Sequence, residues 1–195
     1  MKIYIDFDNT IVDSTKAFVD RYNMMNDTNI DSSDIVSYDF KPQIQLTNEQ
    51  ISEAFGTYSL YDYLKPYEYV ERALMRLRCL PNVELYLISN CSDDSVIQKV
   101  LWLNKHPKIN YCFTGKIFLS ISKPYDKSIV DMSNSILIDD HKLNHMCSDA
   151  KYKFAFKDNQ KREWYPNYDE DGVIVKSSWK DIVDEIEKIV CQNNK

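Results

Sequence analysis

Two short apolar runs in this chain each end in a pair of carboxylates, and this repeated pattern constrains the fold more than any other feature. Near the N-terminus Ile3-Tyr4-Ile5 leads into Asp6-Phe7-Asp8, and far downstream Ile136-Leu137-Ile138 leads into Asp139-Asp140. Runs so rich in β-branched and aromatic residues read as strands. Residues two apart in an extended chain point to the same side, so Asp6 and Asp8 face one site if the strand geometry persists through Phe7. Acids at the carboxyl end of a buried strand are costly to desolvate unless a cation or a proton compensates. In a parallel sheet both strand ends open on one edge, where open α/β folds place their ligands. Asp6-x-Asp8 alone also fits a turn or the N-cap of the next helix; a second acidic pair in the same context is hard to assign to coincidence.

The remaining chain reads as strands alternating with helices. Ile11 to about Met25 has helical spacing at Ala17, Phe18, Tyr22 and Met25. Asn26 to Ser33 is turn-rich, and Ser37 to Leu46 looks irregular. Thr47 and Gln50 form a capping box for a helix to about Phe55, ended by Gly56. A tyrosine-dense stretch, Thr57 to Tyr67, precedes an amphipathic helix that ends at Arg78 and buries Val70, Ala73, Leu74 and Leu77. Val83 to Ile88 is a strand ending in Ser89-Asn90, Asp93 to about Asn104 a helix, and Cys112-Phe113 and Ile117 to Ile121 short strands. Lys127 to Met132 is a helical or turn segment before the acidic strand. Tyr152 to Phe156 and Val173 to Val175 are further strands, separated by a polar, aromatic-dotted connection. A last helix spans Ser177 to about Cys191, with Ser178 as a cap.

This order predicts an α/β fold: a parallel-sheet, Rossmann-like core with helices on both faces. The roughly 60 residues between the first helix and the second strand exceed a simple crossover. They read as a small, mostly helical cap, giving a core of residues 1–14 and 80–195 and a cap of residues 15–79.

Composition narrows the chemistry. With three glycines, widely separated, the chain has no glycine-rich phosphate loop, so any phosphate would be held by side chains and a metal. A net charge of −6 without clustered Lys and Arg argues against a nucleic-acid polymer as partner. No apolar stretch reaches the length of a membrane span, and the first residues enter a strand with no signal-peptide pattern. The five cysteines form no Cys-x-x-Cys, which fits a reducing, cytoplasmic setting.

Asp6-x-Asp8-x-Thr10, then Ser89, then Lys127, then Asp139-Asp140 resembles, in order and spacing, the haloacid dehalogenase-like phosphohydrolases. Within them the chain is most similar to the 5′(3′)-deoxyribonucleotidase family. That resemblance rests on Leu60-Tyr61-Asp62-Tyr63-Leu64-Lys65-Pro66, Asp126-Lys127-Ser128-Ile129-Val130, Ile136 to Asp140, and Ser178-Trp179-Lys180-Asp181-Ile182. It implies a Mg²⁺-dependent phosphomonoesterase acting on a nucleoside monophosphate. Asp6 would be the nucleophile, and Asp8, starting protonated, the acid and then the base. Ser89 and Lys127, with Thr10 and Asn90 beside them, would hold the phosphoryl oxygens. The Asp6 carboxylate, the Asp8 carbonyl and an oxygen of Asp139 or Asp140 would hold the metal, Asp140 being preferred as the direct ligand.

Other readings of the same residues stand beside these. Lys123 competes with Lys127 but precedes a proline in a polar loop. His141 and His145, four apart, match a zinc spacing without a third nitrogen or sulfur ligand nearby. Ser89 fits a helix cap, and Cys91 a small buried side chain. The aromatics Phe18, Tyr22, Phe40, Phe55, Tyr58, Tyr61 and Tyr63 fit a base-stacking surface or the core of the cap. The sequence departs from the nucleotidase pattern at Ser14, where that family places an aromatic, and at Asn9, where glycine is common. A sugar phosphate as substrate, or a silent phosphate-binding scaffold, remains the alternative; a scaffold would need neither Asp6 nor Asp8.

Overall fold

The computed structural model describes residues 1–120, 126–166 and 172–193. Six strands form one sheet: β1 (Lys2–Ile5), β2 (Glu84–Cys91), β3 (Gly115–Ser120), β4 (Ile136–Asp139), β5 (Tyr152–Phe156) and β6 (Ile174–Lys176). Their order is β3-β2-β1-β4-β5-β6 and every pairing is parallel. Chain direction across the sheet reverses between β1 and β4, so the crevice at that switch point lies beside the two acidic strand ends.

Between β1 and β2 lie α1 (Ser14–Asn26), a 3₁₀ turn (Ser32–Asp34), α2 (Asn48–Phe55), α3 (Tyr58–Tyr61) and α4 (Val70–Arg78). Then come α5 (Asp93–Lys105) and α6 (Pro107–Asn110), α7 (Lys142–Cys147) after β4, and α8 (Trp179–Asn193) after β6. Ile3 and Ile5 of β1 pack into a core with Leu74 and Leu77 of α4, Trp102 of α5 and Trp179 and Ile182 of α8. Tyr4 points the other way, into a smaller cluster with Ile88, Met132 and Leu137. On that face Lys153, paired in register with Leu137, donates to the His145 carbonyl of α7 at 2.6 Å. The sheet therefore carries helices on both faces, three on one and the short α7 on the other.

Most elements fall where periodicity puts them, with instructive shifts. The capping box of α2 is complete: Gln50 N–H donates to Thr47 Oγ1 at 3.3 Å and Thr47 N–H to Gln50 Oε1 at 2.8 Å. α1 starts at Ser14 rather than Ile11, because Ile11 and Val12 are tied back to the Phe7 carbonyl and Asp13 supplies the cap to Lys16 N–H. Its buried face is Ala17, Phe18 and Val19, whereas Met25 is exposed. β2 continues through Cys91, since β3 pairs with it as far as Ser120; Ser89 and Asn90 thus lie inside the strand, not after it. Cys112-Phe113 is no strand: Pro107 opens the helical turn α6, and Cys112 N–H bonds the Ile109 carbonyl. Ile121, Lys123 and residues 167–171 lie outside the described residues. α4, at the end of the segment assigned to the cap, packs against α8, α6 and β2.

Candidate active site

Strand register assembles the site. Ile5 pairs with Ile138, and Asp6 N–H continues the ladder by donating to the Ile138 carbonyl at 2.9 Å. One residue further on, Asp6 and Asp139 are therefore neighbours across the β1–β4 crevice. The chain then turns sharply, with Asn9 in the left-handed region at φ 50°. Apart from glycine, asparagine is among the residues that adopt that conformation at least cost. Asn9 Oδ1 accepts from Ser14 Oγ at 3.1 Å, Thr15 N–H at 3.0 Å and Thr15 Oγ1 at 3.0 Å. The two departures from the nucleotidase pattern, Asn9 and Ser14, are thus bonded to one another.

The acids gather around a buried lysine. Lys127 Nζ donates to Asp6 Oδ1 and to Asp139 Oδ2, each at 2.5 Å. One carboxylate oxygen from each of Asp6, Asp139 and Asp140 lies within 4.8 Å of the others. Asn144 Nδ2 and His141 N–H also donate to Asp139, while Trp164 Nε1 donates to Asp140 Oδ2 at 2.7 Å. Asp6, Asp8, Ser89, Asn90, Lys127 and Asp140 line one cavity of about 310 Å³. Asp8 Oδ2 accepts from Lys99 Nζ at 2.5 Å, and the same ammonium donates to Ser89 Oγ at 2.7 Å. The charge beside Asp8 is thus a cation. Thr10 is fully buried and does not line the cavity; its carbonyl instead accepts from Trp179 Nε1 at 2.8 Å.

His141 and His145 do not converge on a metal. His141 Nδ1 caps α7 by accepting from Leu143 N–H, and the His145 ring donates through Nε2 to the Asp139 carbonyl at 3.0 Å. Cys91 is buried, its thiol 3.6 Å from the Ser89 carbonyl. Lys99, Asn144 and Trp164 escaped the sequence reading. Lys99 carried a signal, since it lies one helical turn from Ser95, Trp102 and Leu103, the buried stripe of α5. Trp164 carried none: it belongs to an irregular connection and reaches Asp140 across the chain.

Electrostatics give this cluster a direction. Burial pushes the Asp6 carboxyl up to about 7, with Asp139 and Asp8 adding to the shift and Lys127 opposing it. Burial also raises Asp140 well above the carboxylate range, helped by Asp139 and Asp6. For Asp139 burial acts upward too, but Lys127, His145 and Asn144 outweigh it and hold it low. Were all four carboxylates (Asp6, Asp8, Asp139, Asp140) ionised, they would face two ammoniums (Lys99, Lys127) and leave an excess of two negative charges, which adds to burial in pushing Asp6 and Asp140 toward their protonated forms. An uncompensated buried ion costs several kcal/mol, a large share of a domain's roughly 5–15 kcal/mol of stability. An all-oxygen donor set with this excess charge fits Mg²⁺, a hard, oxygen-seeking cation.

A second cavity, about 440 Å³, opens beside the first and shares Asp8, Asn9, Tyr38 and Asn90 with it. Its walls include Phe40, Phe55, Tyr61 and Trp164, with Asn48 and Ser92 among the polar groups. Of the other aromatics, Phe18 is buried behind this wall, stacked on Phe55 at 5.4 Å, and Tyr63 bonds Met24 Sδ at 2.8 Å; the Tyr58 side chain lies outside the described residues.

Comparison with known proteins bears on the architecture. No family model and no curated protein matches the chain. Solved structures do. A haloacid dehalogenase-like family hydrolase from Streptococcus pneumoniae superposes with a TM-score of 0.58 at 16% identity, over 95% of this chain and 97% of that one. The chain has a haloacid dehalogenase-like fold. A haloacid dehalogenase-like family hydrolase from Xanthomonas campestris gives 0.60 at 8% identity, over 98% and 96%. A HAD-superfamily hydrolase of subfamily IA from Geobacter sulfurreducens gives 0.56 at 14%, over 94% of each chain. At these identities the likeness is one of fold, and the haloacid dehalogenase-like fold here spans nearly the whole chain. No helix among the described residues is long and apolar enough to cross a membrane.

Proposed function

We propose that this protein is a Mg²⁺-dependent phosphomonoesterase that hydrolyses a nucleoside monophosphate through an aspartyl-phosphate on Asp6. The observation that carries the reading is the convergence of Asp6, Asp139 and Asp140 on one buried point, with Lys127 bonded to two of them. Asp6, Asp140 and the Asp8 carbonyl would hold Mg²⁺, Asp139 being engaged by Lys127 and Asn144. Bound there, the cation would offset the excess negative charge, favour the Asp6 carboxylate and stabilise charge on the transferring phosphoryl group.

The residues then divide the work. An Asp6 carboxylate oxygen attacks phosphorus, the phosphorus–oxygen bond to the leaving group breaks, and Asp8, entering the step with a proton on Oδ1 while Oδ2 accepts from Lys99, delivers that proton to the departing alkoxide. Water then attacks the aspartyl-phosphate, Asp8 takes its proton, and the Asp6–phosphorus bond breaks to release phosphate. Lys127 and Ser89 supply donors for the phosphoryl oxygens, whose charge is the main thing such a site must stabilise. The adjoining cavity would take the leaving group. Phe40, Phe55 and Tyr61 in its wall favour a flat ring over a bare sugar.

A panel of nucleoside monophosphates and sugar phosphates, each assayed with Mg²⁺ and with EDTA, tests this reading. Release of phosphate that needs Mg²⁺ and is fastest with nucleotides is expected. Preference for sugar phosphates would overturn the substrate assignment, and no metal-dependent release from any ester would overturn the reaction.

A further inference from the structure

A buried lysine beside the acids has no part in the chemistry just described. Lys99 sits on α5 with a side chain 2% exposed. Its ammonium meets Asp8 Oδ2 at 2.5 Å and Ser89 Oγ at 2.7 Å, and it lies 5.2 Å from the centre of the Phe7 ring. A fully buried lysine is expensive, because the charged form must be stripped of water. Chains therefore keep one where it has a partner that needs it. A packing role alone would be served by leucine or methionine, as leucine serves at the neighbouring Leu103.

We propose that Lys99 is a positioning residue that fixes the Asp8 carboxyl and the Ser89 hydroxyl in the orientation the phosphoryl transfer requires. The inference rests on the phosphomonoesterase reading for its kinetics but not for its geometry. Asp8 lies on the turn after β1, where Asn9 is left-handed and the chain leaves the sheet, so the backbone ladder does not hold its side chain. Nothing else among the described hydrogen bonds holds the Asp8 carboxylate. Lys99 also lines the second cavity, so the bridge stands where a leaving group would pass from that cavity to the acid. Finally, α5 is the helix on which the inserted segment rests: Tyr61 Oη donates to the Ser95 carbonyl at 3.4 Å, and Trp102 Nε1 to the Leu64 carbonyl at 3.2 Å. Through Lys99, the element that carries one wall of the substrate cavity is bonded directly to the proposed acid.

Lys99→Ala and Lys99→Met test the proposal, the second keeping the volume of the stem against Phe7. Both are expected to fold and to retain a Mg²⁺-dependent rise in melting temperature. For a phosphomonoester turned over by the wild type, kcat should fall about 100-fold, the cost of misplacing a reacting group by about an ångström, with KM little changed. Ethylammonium should restore part of the activity of Lys99→Ala through the adjoining cavity, and sodium chloride at equal ionic strength should not. Unchanged kcat, a loss expressed in KM alone, no rescue by the amine, or failure of both variants to fold would each overturn the assignment. A crystal structure of Lys99→Met supplies a readout independent of turnover: Asp8 should leave its position while Asp6, Asp139 and Asp140 keep theirs. Absence of activity in the wild type would remove the phosphatase reading, whereas Asp8 holding its place without Lys99 would remove this one.

Discussion

Asp6 shares a 2.5 Å hydrogen bond with Lys127 yet remains pushed up to about 7, because burial and two acidic neighbours outweigh one ammonium. Changing Asp6→Asn deletes the proposed nucleophile and also one of the crowded charges. Turnover should fall by three orders of magnitude or more, as for loss of a covalent nucleophile, while the melting temperature in EDTA should hold or rise. Wild-type-like turnover in a steady-state assay would remove Asp6 from its role. Trp164 would act on the proposed metal at one remove: its indole N–H donates to Asp140 at 2.7 Å. Trp164→Phe keeps most of the ring and drops the donor, so Mg²⁺ affinity measured by calorimetry should weaken roughly 10–100-fold. Asn9→Gly tests the turn. Glycine keeps the left-handed backbone but loses the acceptor for Ser14 and Thr15, and denaturant unfolding should show a loss of about 1–2 kcal/mol.

Elements differ in how openly the sequence declares them. The capping box of α2 is written in four consecutive residues and needs no tertiary partner, so Thr47→Ala should cost about 1 kcal/mol in denaturant unfolding. The acidic ends of β1 and β4 were legible for a related reason: an apolar run followed by carboxylates is a local conflict that invites explanation. The amphipathic α4 announced its buried face by spacing alone. What stayed hidden depends on distant chain. β2 runs on through Ser89 because β3 pairs with it that far, and a strand's end is set by its neighbour. α1 begins late because the Phe7 carbonyl claims Ile11 and Val12. Lys99 went unnoticed because a lysine in a helix reads as solvent-facing, although its spacing from Trp102 and Leu103 puts it on the buried side. Trp164 and Asn144 join the acids through loop and helix placements that no pattern of their own predicts.

At the scale of the whole molecule, the parallel sheet concentrates negative charge at its switch point, and that excess should appear as a linkage between metal, proton and stability. Asp6, and Asp140 with it, has a folded-state carboxyl raised above its unfolded value. Such groups hold protons in the folded state that the unfolded chain has already lost, so their contribution disappears as pH rises through the folded value. His141 and His145 are shifted down by burial and act in the opposite sense only below their ordinary 6.5. In EDTA these two acids should therefore cost the protein stability as pH rises from about 4 to about 7, and above about 6.5 the histidines no longer oppose the loss. Saturating Mg²⁺ should raise the melting temperature, and more so at the alkaline end, because the cation binds the ionised acids. The most direct measurement is anomalous diffraction from a crystal soaked in Mn²⁺, an oxygen-seeking stand-in for Mg²⁺. The account predicts a single strong peak in direct coordination with Asp6 and Asp140, at the mouth of the cavity that holds Lys127. A peak elsewhere, or none at a concentration that supports turnover, would contradict it.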